Sequence, residues 1–333
     1  MTDPAGELAG HYERDVNRVH ASRSVTMSPV QFATHSSAQG YVDDPRNENV
    51  LVYVNGSFVP RDEASVSVFD AGFVLGDGVW EGLRLVKGKL VAINDHVARL
   101  FEGARAIQLD IGVSKHEITA AIQATLDRNG MTDGVHVRVM VTRGKKKTPN
   151  QDPRFALGQA TIVIVAEYKA PRPEVRAQGL KLLTSTIRCS GPDVFDLRLN
   201  SHSRLNLIQA LIQAINAGCD EALMLDPHGF VASCNSTNFF IVRGDALWTS
   251  TGRFNFKGIT RGKIIKLYSE QVGPVRELDF TLAETYSATE AFVTGTLGGV
   301  TPVTAIDGRQ IGNGRTGPVT AKIADIYQRS LLD

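Results

Sequence analysis

The arrangement of apolar positions predicts a chain that alternates between amphipathic helices and short strands. The clearest helix lies over Arg204–Ala217, where apolar side chains recur every three or four residues and Gly218 supplies a C-terminal cap. The apolar positions of this helix are Leu205, Ile208, Leu211, Ile212 and Ile215. Further helices are predicted from His96 onward, over His116–Arg128, from Gly258 through Leu267, and over Pro318–Leu332.

Short apolar runs bounded by turn residues predict strands on both sides of that helix. Val135–Thr142 alternates apolar and polar residues, which is typical of a strand buried on one face. Turns at Asn55-Gly56 and around Lys87-Gly88 predict two hairpins. These hairpins cover Leu51–Pro60 and Leu85–Ile93, and the other predicted strands are Ser65–Asp70, Ala160–Val165, Glu221–Leu225, Phe230–Ala232, Phe239–Val242 and Ala291–Gly295.

The segments between these elements suggest how the chain is divided. The predicted parts are a polar N-terminal extension (1–48), a small α+β domain (49–168), a linker (169–176) and a larger α+β domain (177–333). We expect the extension to be flexible or to pack on a partner subunit. Gly72–Gly78 is predicted to be a glycine-rich loop that lets the backbone approach another surface. Arg143–Arg154 is predicted to be a polar loop whose three lysines are solvated, or reach an anionic substrate at a neighbouring active site.

Composition narrows the classes of function. The chain has 333 residues and a formal net charge of +1, which allows two domains and gives no general argument for a nucleic acid or membrane partner. Cys189, Cys219 and Cys234 have no metal-ligand spacing, so we expect no metal site and a reducing, cytoplasmic setting. No apolar run is long enough for a membrane span, and the N-terminus lacks the apolar stretch of a signal peptide.

A Gly-Ile-Thr-Arg segment at 258–261 opens one of the predicted helices. The first N–H groups of a helix have no partner within it, and the helix dipole makes this end positive. The segment therefore predicts a phosphate-binding site, although many helices begin after Gly and Thr.

Six segments follow one another in a fixed order: LGDGVWEGLR at 75–84, NDHVARL at 94–100, AGCDEALMLDPHGFV at 217–231, STNFFIV at 236–242, GITR at 258–261 and VTGTLGGVTPV at 293–303. This order resembles the class IV aminotransferases, the fold type IV pyridoxal-phosphate enzymes that include branched-chain and D-amino acid aminotransferases, (R)-selective amine transaminases and aminodeoxychorismate lyase, so the resemblance implies a transferase or a lyase. The resemblance implies an α+β fold of two domains, like D-amino acid aminotransferase, with the active site in the interdomain cleft. It also implies a homodimer that acts on a small-molecule substrate.

The same resemblance implies roles for individual residues. Contacts to the phosphate of pyridoxal or pyridoxamine phosphate are implied for Arg99 of the His-x-x-Arg-Leu motif, Ile259, Thr260 and Thr296. A guanidinium matches phosphate geometry well, which strengthens the expectation for Arg99. Contacts to the substrate or to the cofactor ring are implied for Trp80, Phe256, Leu297 and Gly298.

Two positions depart from the family pattern. The Schiff-base lysine of the family precedes the Gly-x-Asp-Glu-Ala segment by a fixed helix length, and that position is Asn200 here. The glutamate that contacts the pyridine nitrogen is replaced by Ser233. An amide has neither a nucleophilic amine nor a useful pKa, and a serine hydroxyl favours the neutral ring, so ordinary transamination is not expected.

Three functions remain open after these departures. The first is an aminotransferase-like enzyme that binds the cofactor without a covalent bond and uses another base, for which His202 and Lys257 are the candidates. The second is a cofactor-independent enzyme that binds another anionic small molecule in the same pocket. The third is a catalytically inactive homologue with a binding or regulatory role.

Overall fold

The computed structural model describes residues 37–332, which fold around two β-sheets. The helices are α1 Ala71–Leu75, α2 Ile93–Ala106, α3 Lys115–Arg128, α4 Pro173–Gln178, α5 Leu205–Asn216, α6 Ile259–Gln271, α7 Leu282–Tyr286 and α8 Pro318–Arg329. The strands are β1 Tyr41–Val42, β2 Leu51–Val54, β3 Ser57–Pro60, β4 Gly78–Val86, β5 Lys89–Leu90, β6 Val135–Thr142, β7 Thr161–Tyr168, β8 Ala170–Pro171, β9 Leu180–Thr184, β10 Glu221–Leu225, β11 Val231–Cys234, β12 Asn238–Arg243, β13 Ala246–Thr249, β14 Val275–Glu277, β15 Glu290–Gly295, β16 Gly299–Ile306 and β17 Arg309–Gln310. Residues 1–36 of the predicted extension lie outside the described residues.

The first sheet is antiparallel, with the strand order β3-β2-β7-β6-β4-β5. Its central strand β6 shows how the alternation of apolar and polar residues gives the two faces of the sheet different surroundings. The four valines of β6 are buried in a core that α2 and α3 help to form. His136, Arg138 and Met140 alternate with those valines and line a cavity on the opposite face. One strand thus supplies both the core of this sheet and one wall of the candidate site.

The second sheet has the order β11-β10-β9-β16-β15-β12-β13-β14, with β17 paired to β16. β9 runs parallel to both of its neighbours, β10 and β16. Apolar cores cover both faces, because alternate residues of β12 enter different clusters: Phe239 and Ile241 join one, and Phe240 joins another with residues of α6 and α8. The ring of Phe240 stacks on Phe292 with centroids 5.0 Å apart. Along the chain, β13 of this sheet is followed by the turn that leads into α6, and that turn borders the cavity.

Residues before the first hairpin pack against the chain that joins the two sheets. β1 pairs with β8 in a two-stranded sheet. Asn47 donates to the carbonyl of Tyr168 at 2.9 Å and accepts from its N–H at 2.8 Å. The part of the predicted extension that the structure describes is therefore ordered by specific hydrogen bonds.

Three local predictions are wrong in this region of the first sheet. Ser65–Asp70 is not a strand: only Asp70 forms an isolated bridge, and its side chain instead accepts from the N–H of Gly72 and caps α1. Gly72–Gly78 is therefore mostly helix rather than loop, and Gly76 ends it with a φ of 70°. Lys146, expected to be solvated, is buried and donates to the carbonyl of Asn150.

The two sheets, each packed against helices, form an α+β fold with two separate apolar cores on the first and second sheets. The domain limits at 49–168 and 177–333 stay predictions. Within residues 37–332, no helix is long and apolar enough to cross a membrane, and no three His, Cys, Asp or Glu side chains are grouped to hold a metal ion.

Candidate active site

A cavity of about 680 Å³ lies between the two sheets, a size typical of small-molecule sites. The predicted site residues that line it are Trp80, Arg99, Asn200, Ser233, Phe256, Ile259, Thr260, Thr296 and Leu297. They come from β4, from α2, from the loop before α5, from β11, from the turn before α6 and its first residues, and from the turn after β15. Folding thus brings most of the sequence-predicted site into one space.

Arg99 on α2 is held by a carboxylate that sequence reasoning missed. Glu81 on β4 is 1% exposed and accepts from Arg99 Nε at 2.7 Å and Nη2 at 2.8 Å. His96 Nδ1 lies 2.7 Å from the same carboxylate, which can only accept, so Nδ1 carries the proton. Burial alone would raise the pKa of Glu81, but the hydrogen bonds from Arg99 and His96 hold it below its ordinary value.

The remaining contacts of Arg99 direct it toward the start of α6. Its Nη1 donates to the carbonyl of Lys257 at 2.9 Å, and its guanidinium lies 4.3 Å from the ring centroid of Phe256. Gly258 begins α6 without a capping side chain, so the first N–H groups, including those of Ile259 and Thr260, remain free for an anion. A cation and a positive helix end therefore meet in the same part of the cavity.

Asn238 shapes this helix start and was not predicted. Its Nδ2 donates to the carbonyl of Phe256 at 2.7 Å, which ties β12 to the turn before α6. A Cβ at position 258 would lie 2.3 Å from Asn238 Oδ1, so only glycine fits there. Thr294 on β15 is paired in register with Asn238 and also lines the cavity, while its Oγ1 is buried and has no hydrogen-bond partner among the described residues.

The turn after β15 is partly covered by the N-terminal segment. Thr296 and Leu297 line the cavity, but Gly298 does not, because a Cβ there would lie 2.6 Å from the carbonyl oxygen of Ala38. Gln39 and Tyr41 of the same segment line the cavity instead. The predicted extension thus contributes a wall of the site.

Asn200, which the sequence predicts to stand at the position of the family lysine, makes hydrogen bonds to its neighbours through both ends of its amide. Its Nδ2 donates to the carbonyl of Trp80 at 2.6 Å, and its carbonyl accepts from the Trp80 N–H at 2.9 Å. Its Oδ1 accepts from Arg204 Nη2 at 2.8 Å. The amide therefore joins the loop before α5 to β4.

Ser233 presents a neutral hydroxyl at the cavity. Its Oγ donates to the carbonyl of Thr237 at 2.7 Å, so the hydroxyl proton is used in a hydrogen bond within the protein. Asn238 Nδ2 lies 3.5 Å away, at the limit of a hydrogen bond. A hydroxyl in this state offers a lone pair but no negative charge.

The structure does not bring His202 or Lys257 into the cavity lining. The His202 ring packs against Gly78, and its Nε2 is buried without a partner among the described residues. Burial, followed by the charge of Arg138, lowers the pKa of His202. The Lys257 stem packs on Gly252 and the residue is exposed. Both roles as a base stay predictions from the sequence.

Arg138 and Arg204 line the cavity, and the sequence argument missed both. The Arg138 guanidinium lies 3.6 Å above the ring of Trp80. Burial, and then the charges of Arg138 and Arg99, lower the pKa of Arg204 to about 10. One sequence signal pointed to Arg204: a cation is unfavourable at the start of a helix, so its presence there needs a reason.

The cavity carries more positive than negative charge. Its lining includes two carboxylates, and each is already paired: Glu81 with Arg99, and Glu167 with Lys169 at 2.7 Å. Neither Arg138 nor Arg204 forms an ion pair with a carboxylate in residues 37–332. The site is thus suited to a small molecule that bears more than one negative charge.

Comparisons with known proteins agree with this architecture. The family described as Amino-transferase class IV matches residues 78–306. Branched-chain-amino-acid aminotransferase-like protein 2 of Arabidopsis thaliana is 39% identical over 86% of this chain and 51% of its own length, so the chain spans about half of that relative. A putative branched-chain-amino-acid aminotransferase of Methanocaldococcus jannaschii is 38% identical over 83% of this chain and 95% of its own. A solved branched-chain amino acid aminotransferase of T.th. with pyridoxamine 5′-phosphate matches with a TM-score of 0.80 and 30% identity, over 85% of this chain and 94% of that one.

Proposed function

Because this chain belongs to the class IV amino-transferase family, we propose that it is an aminotransferase-like enzyme without the catalytic lysine. It binds pyridoxal or pyridoxamine phosphate non-covalently and acts on a small amino or keto compound. The observation that carries this proposal is that the phosphate-binding groups converge in the cavity while residue 200 is an amide bonded to Trp80 and Arg204.

The residues present fit a phosphorylated cofactor. The uncapped start of α6 presents N–H groups that an anionic ligand would satisfy. The guanidinium of Arg99, which is paired with Glu81 and with the carbonyl of Lys257, adds positive charge beside that helix start. Ile259, Thr260 and Thr296 would complete the phosphate site. In the solved T.th. relative, pyridoxamine 5′-phosphate is present.

The cofactor, when bound, supplies an electron-withdrawing ring and the carbonyl or amine of an amino-group exchange. Phe256 provides an apolar wall. Ser233 offers a neutral partner at the ring nitrogen, so it favours a weaker electron sink than a glutamate does. Arg138, which has no carboxylate partner in the described residues, favours a substrate that carries an anionic group.

A second candidate function is a binding or regulatory homologue without catalysis. The placement of His202 and Lys257 outside the cavity lining favours it, since a general base must come within hydrogen-bond reach of the proton it removes. Neither this alternative nor a cofactor-independent enzyme requires bound pyridoxal phosphate.

Visible spectra and borohydride treatment separate these functions. We expect a yellow protein after addition of pyridoxal phosphate that borohydride does not convert to a covalent adduct. A covalent adduct on Lys257 would show that Lys257 is the lysine that anchors the cofactor. A protein that binds neither form of the cofactor would reject the proposed enzyme. Unchanged turnover in His202→Ala would remove His202 as the base, and Asn200→Lys with Ser233→Glu tests whether family activity returns.

We also propose a homodimer. Leu205 and Ile208 on α5 are 67% and 52% exposed, and Phe73 on α1 is 70% exposed. Large apolar side chains grouped on one helix are typical of a subunit interface. Analytical ultracentrifugation tests this: Leu205→Glu should give a monomer, and a wild-type monomer at micromolar concentration would reject the proposal.

A reducing, cytoplasmic location is part of the same proposal. All three cysteines are free, and two of them are buried. Free thiols favour a compartment in which disulfides do not form. Secretion of the native protein with an oxidised cysteine pair would contradict it.

A further inference from the structure

Arg204 lies immediately before α5 and is tied to the loop that carries residue 200. Its Nη2 donates to the carbonyl of Leu199 and to Oδ1 of Asn200, both at 2.8 Å, and its Nε donates to the carbonyl of Ser201 at 3.1 Å. For Nη1, residues 37–332 provide no hydrogen-bond acceptor, and the atom is not sealed in by protein. Arg204 is one of the residues that line the cavity, and its guanidinium lies 5.6 Å from the ring centroid of Phe256, another lining residue.

The position is electrostatically unfavourable without a ligand. Arg204 is the N-cap of α5 and makes no side-chain hydrogen bond to the helix N–H groups, so its cation lies at the positive end of the helix dipole. Arg138 and Arg99 add further positive charge nearby, and the carboxylate of Glu81 is already committed to Arg99. A half-buried cation in such surroundings is expected to have an anionic partner in the functional state.

Asn200 and Arg204 form one structural unit. Nδ2 of Asn200 is fixed on the carbonyl of Trp80, which leaves Oδ1 as the acceptor for the guanidinium. A lysine at position 200 would place an ammonium group beside that guanidinium instead of an acceptor. The amide at 200 and the arginine at 204 therefore suit each other, whereas a lysine at 200 would be disfavoured by like charge beside Arg204.

We propose that Arg204 is an anion-binding residue of the cleft that binds, through Nη1, an anionic oxygen of the bound compound, and that Asn200 is its positioning residue. The oxygen belongs either to a carboxylate of the substrate or to the ring phenolate of the cofactor. This inference rests on the proposed function. A guanidinium keeps its proton and does not condense with a carbonyl, so it holds the ligand by charge and hydrogen bonding alone.

Ligand titration of the purified full-length protein tests the proposal. Pyridoxamine 5′-phosphate is titrated into wild type, Arg204→Gln and Arg204→Lys, followed through tryptophan fluorescence and by calorimetry. 4-Methylvalerate, a simple carboxylate, is then titrated into the loaded proteins. Arg198→Gln is the matched control, because Arg198 lies in the same loop but is exposed and paired with Asp196 at 2.7 Å.

Loss of one charge-assisted hydrogen bond should weaken binding by about tenfold to a hundredfold in Arg204→Gln, less in Arg204→Lys, and not in Arg198→Gln. A weaker affinity for pyridoxamine phosphate assigns the phenolate as the partner. An unchanged cofactor affinity with weaker 4-methylvalerate binding assigns the carboxylate. If wild type binds the cofactor and Arg204→Gln binds both probes normally, the proposal for Arg204 is wrong while the proposed function stands; a wild type that binds neither probe rejects both.

Two further measurements separate binding from a structural role. Arg204→Gln loses the hydrogen bonds to the loop and should unfold at a lower temperature without ligand, but saturating pyridoxamine phosphate with 4-methylvalerate should also raise its unfolding temperature less than that of wild type. An equal rise in both proteins would show that Arg204 is only structural. Asn200→Lys combined with Arg204→Leu should give more borohydride-trapped adduct with pyridoxal phosphate, measured by mass spectrometry, than Asn200→Lys alone. Equal amounts of adduct would refute the coupling between residues 200 and 204.

Discussion

Replacing Glu81 by glutamine removes the negative charge that holds the candidate phosphate-binding arginine. The carboxylate accepts two hydrogen bonds from Arg99, at 2.7 and 2.8 Å, and one from His96 at 2.7 Å. Glutamine has a single acceptor oxygen, and its NH2 group would face donors. The variant therefore leaves a buried guanidinium without its counter-charge.

Removing one partner of a buried ion pair costs about 3–5 kcal/mol. With roughly 2 °C for each kcal/mol in a chain of this size, Glu81→Gln should lower the unfolding temperature by about 6–10 °C. Thermal unfolding followed by circular dichroism measures this. The control is Glu102→Gln on α2, where the carboxylate is exposed and the expected change is within about 0.5 kcal/mol. A loss in Glu81→Gln no larger than that of the control would refute the reasoning.

The effect of Glu81 should also depend on pH. Its pKa in the folded protein lies below the ordinary value of 4.5. Its contribution to stability is therefore present above pH 4.5 and is lost as the pH falls through the folded pKa. The difference in unfolding temperature between wild type and Glu81→Gln should be constant near neutrality and shrink in acid. A difference that grows in acid would contradict this assignment.

Three other substitutions test separate features. Gly258→Ala should weaken pyridoxamine phosphate binding by about tenfold, because a Cβ there would displace Asn238; Gly262→Ala in the same helix meets open space and should leave binding unchanged. Burial, opposed by hydrogen bonds from Thr237 and from the N-terminal segment, raises the pKa of Glu221 to about 7. Its stabilising effect is therefore full below 4.5 and lost as the pH rises through about 7, so Glu221→Gln should unfold at a higher temperature than wild type at pH 8 but not at pH 4.5. Thr294→Val should stabilise the ligand-free protein by about 1–3 kcal/mol, since it removes an unpartnered buried hydroxyl, and a destabilised variant would show that the hydroxyl has a partner.

Local sequence signals were sufficient to predict a strand or a turn where one local interaction determines the structure. Val135–Thr142 alternates strictly, and β6 has those same limits. The Asn55-Gly56 turn is confirmed, because both residues have positive φ and only a primed turn uses them in that way. The prediction for Ser65–Asp70 failed because Val66 and Val68 are exposed, so their alternation does not reflect a buried face.

Site residues could be predicted where a sequence motif identifies them. They could not be predicted where contacts between distant parts of the chain give a residue its role in the site. Arg99 and Thr260 came from motifs and lie in the cavity. Asn238 acts through a hydrogen bond to Phe256 in the turn before α6, which is distant in sequence. Arg204 acts through the loop before α5, and no apolar periodicity predicts the path of that loop. Ser233, predicted from the sequence to stand at the pyridine nitrogen of the cofactor, lines the cavity, but the hydrogen bond from its hydroxyl to the carbonyl of Thr237 depends on the turn geometry after β11.

The segment ahead of the first hairpin affects how the protein should be truncated. The N–H of Ala38 donates to Glu221 at 3.1 Å, and Gln39 and Tyr41 follow as cavity-lining residues. An expression product that begins at residue 49, the predicted start of the small domain, would lack these groups and leave the buried carboxyl of Glu221 without one of its hydrogen-bond donors. Such a shortened protein is a poor reference for ligand affinity, because its cavity would be open on a side that the longer chain closes.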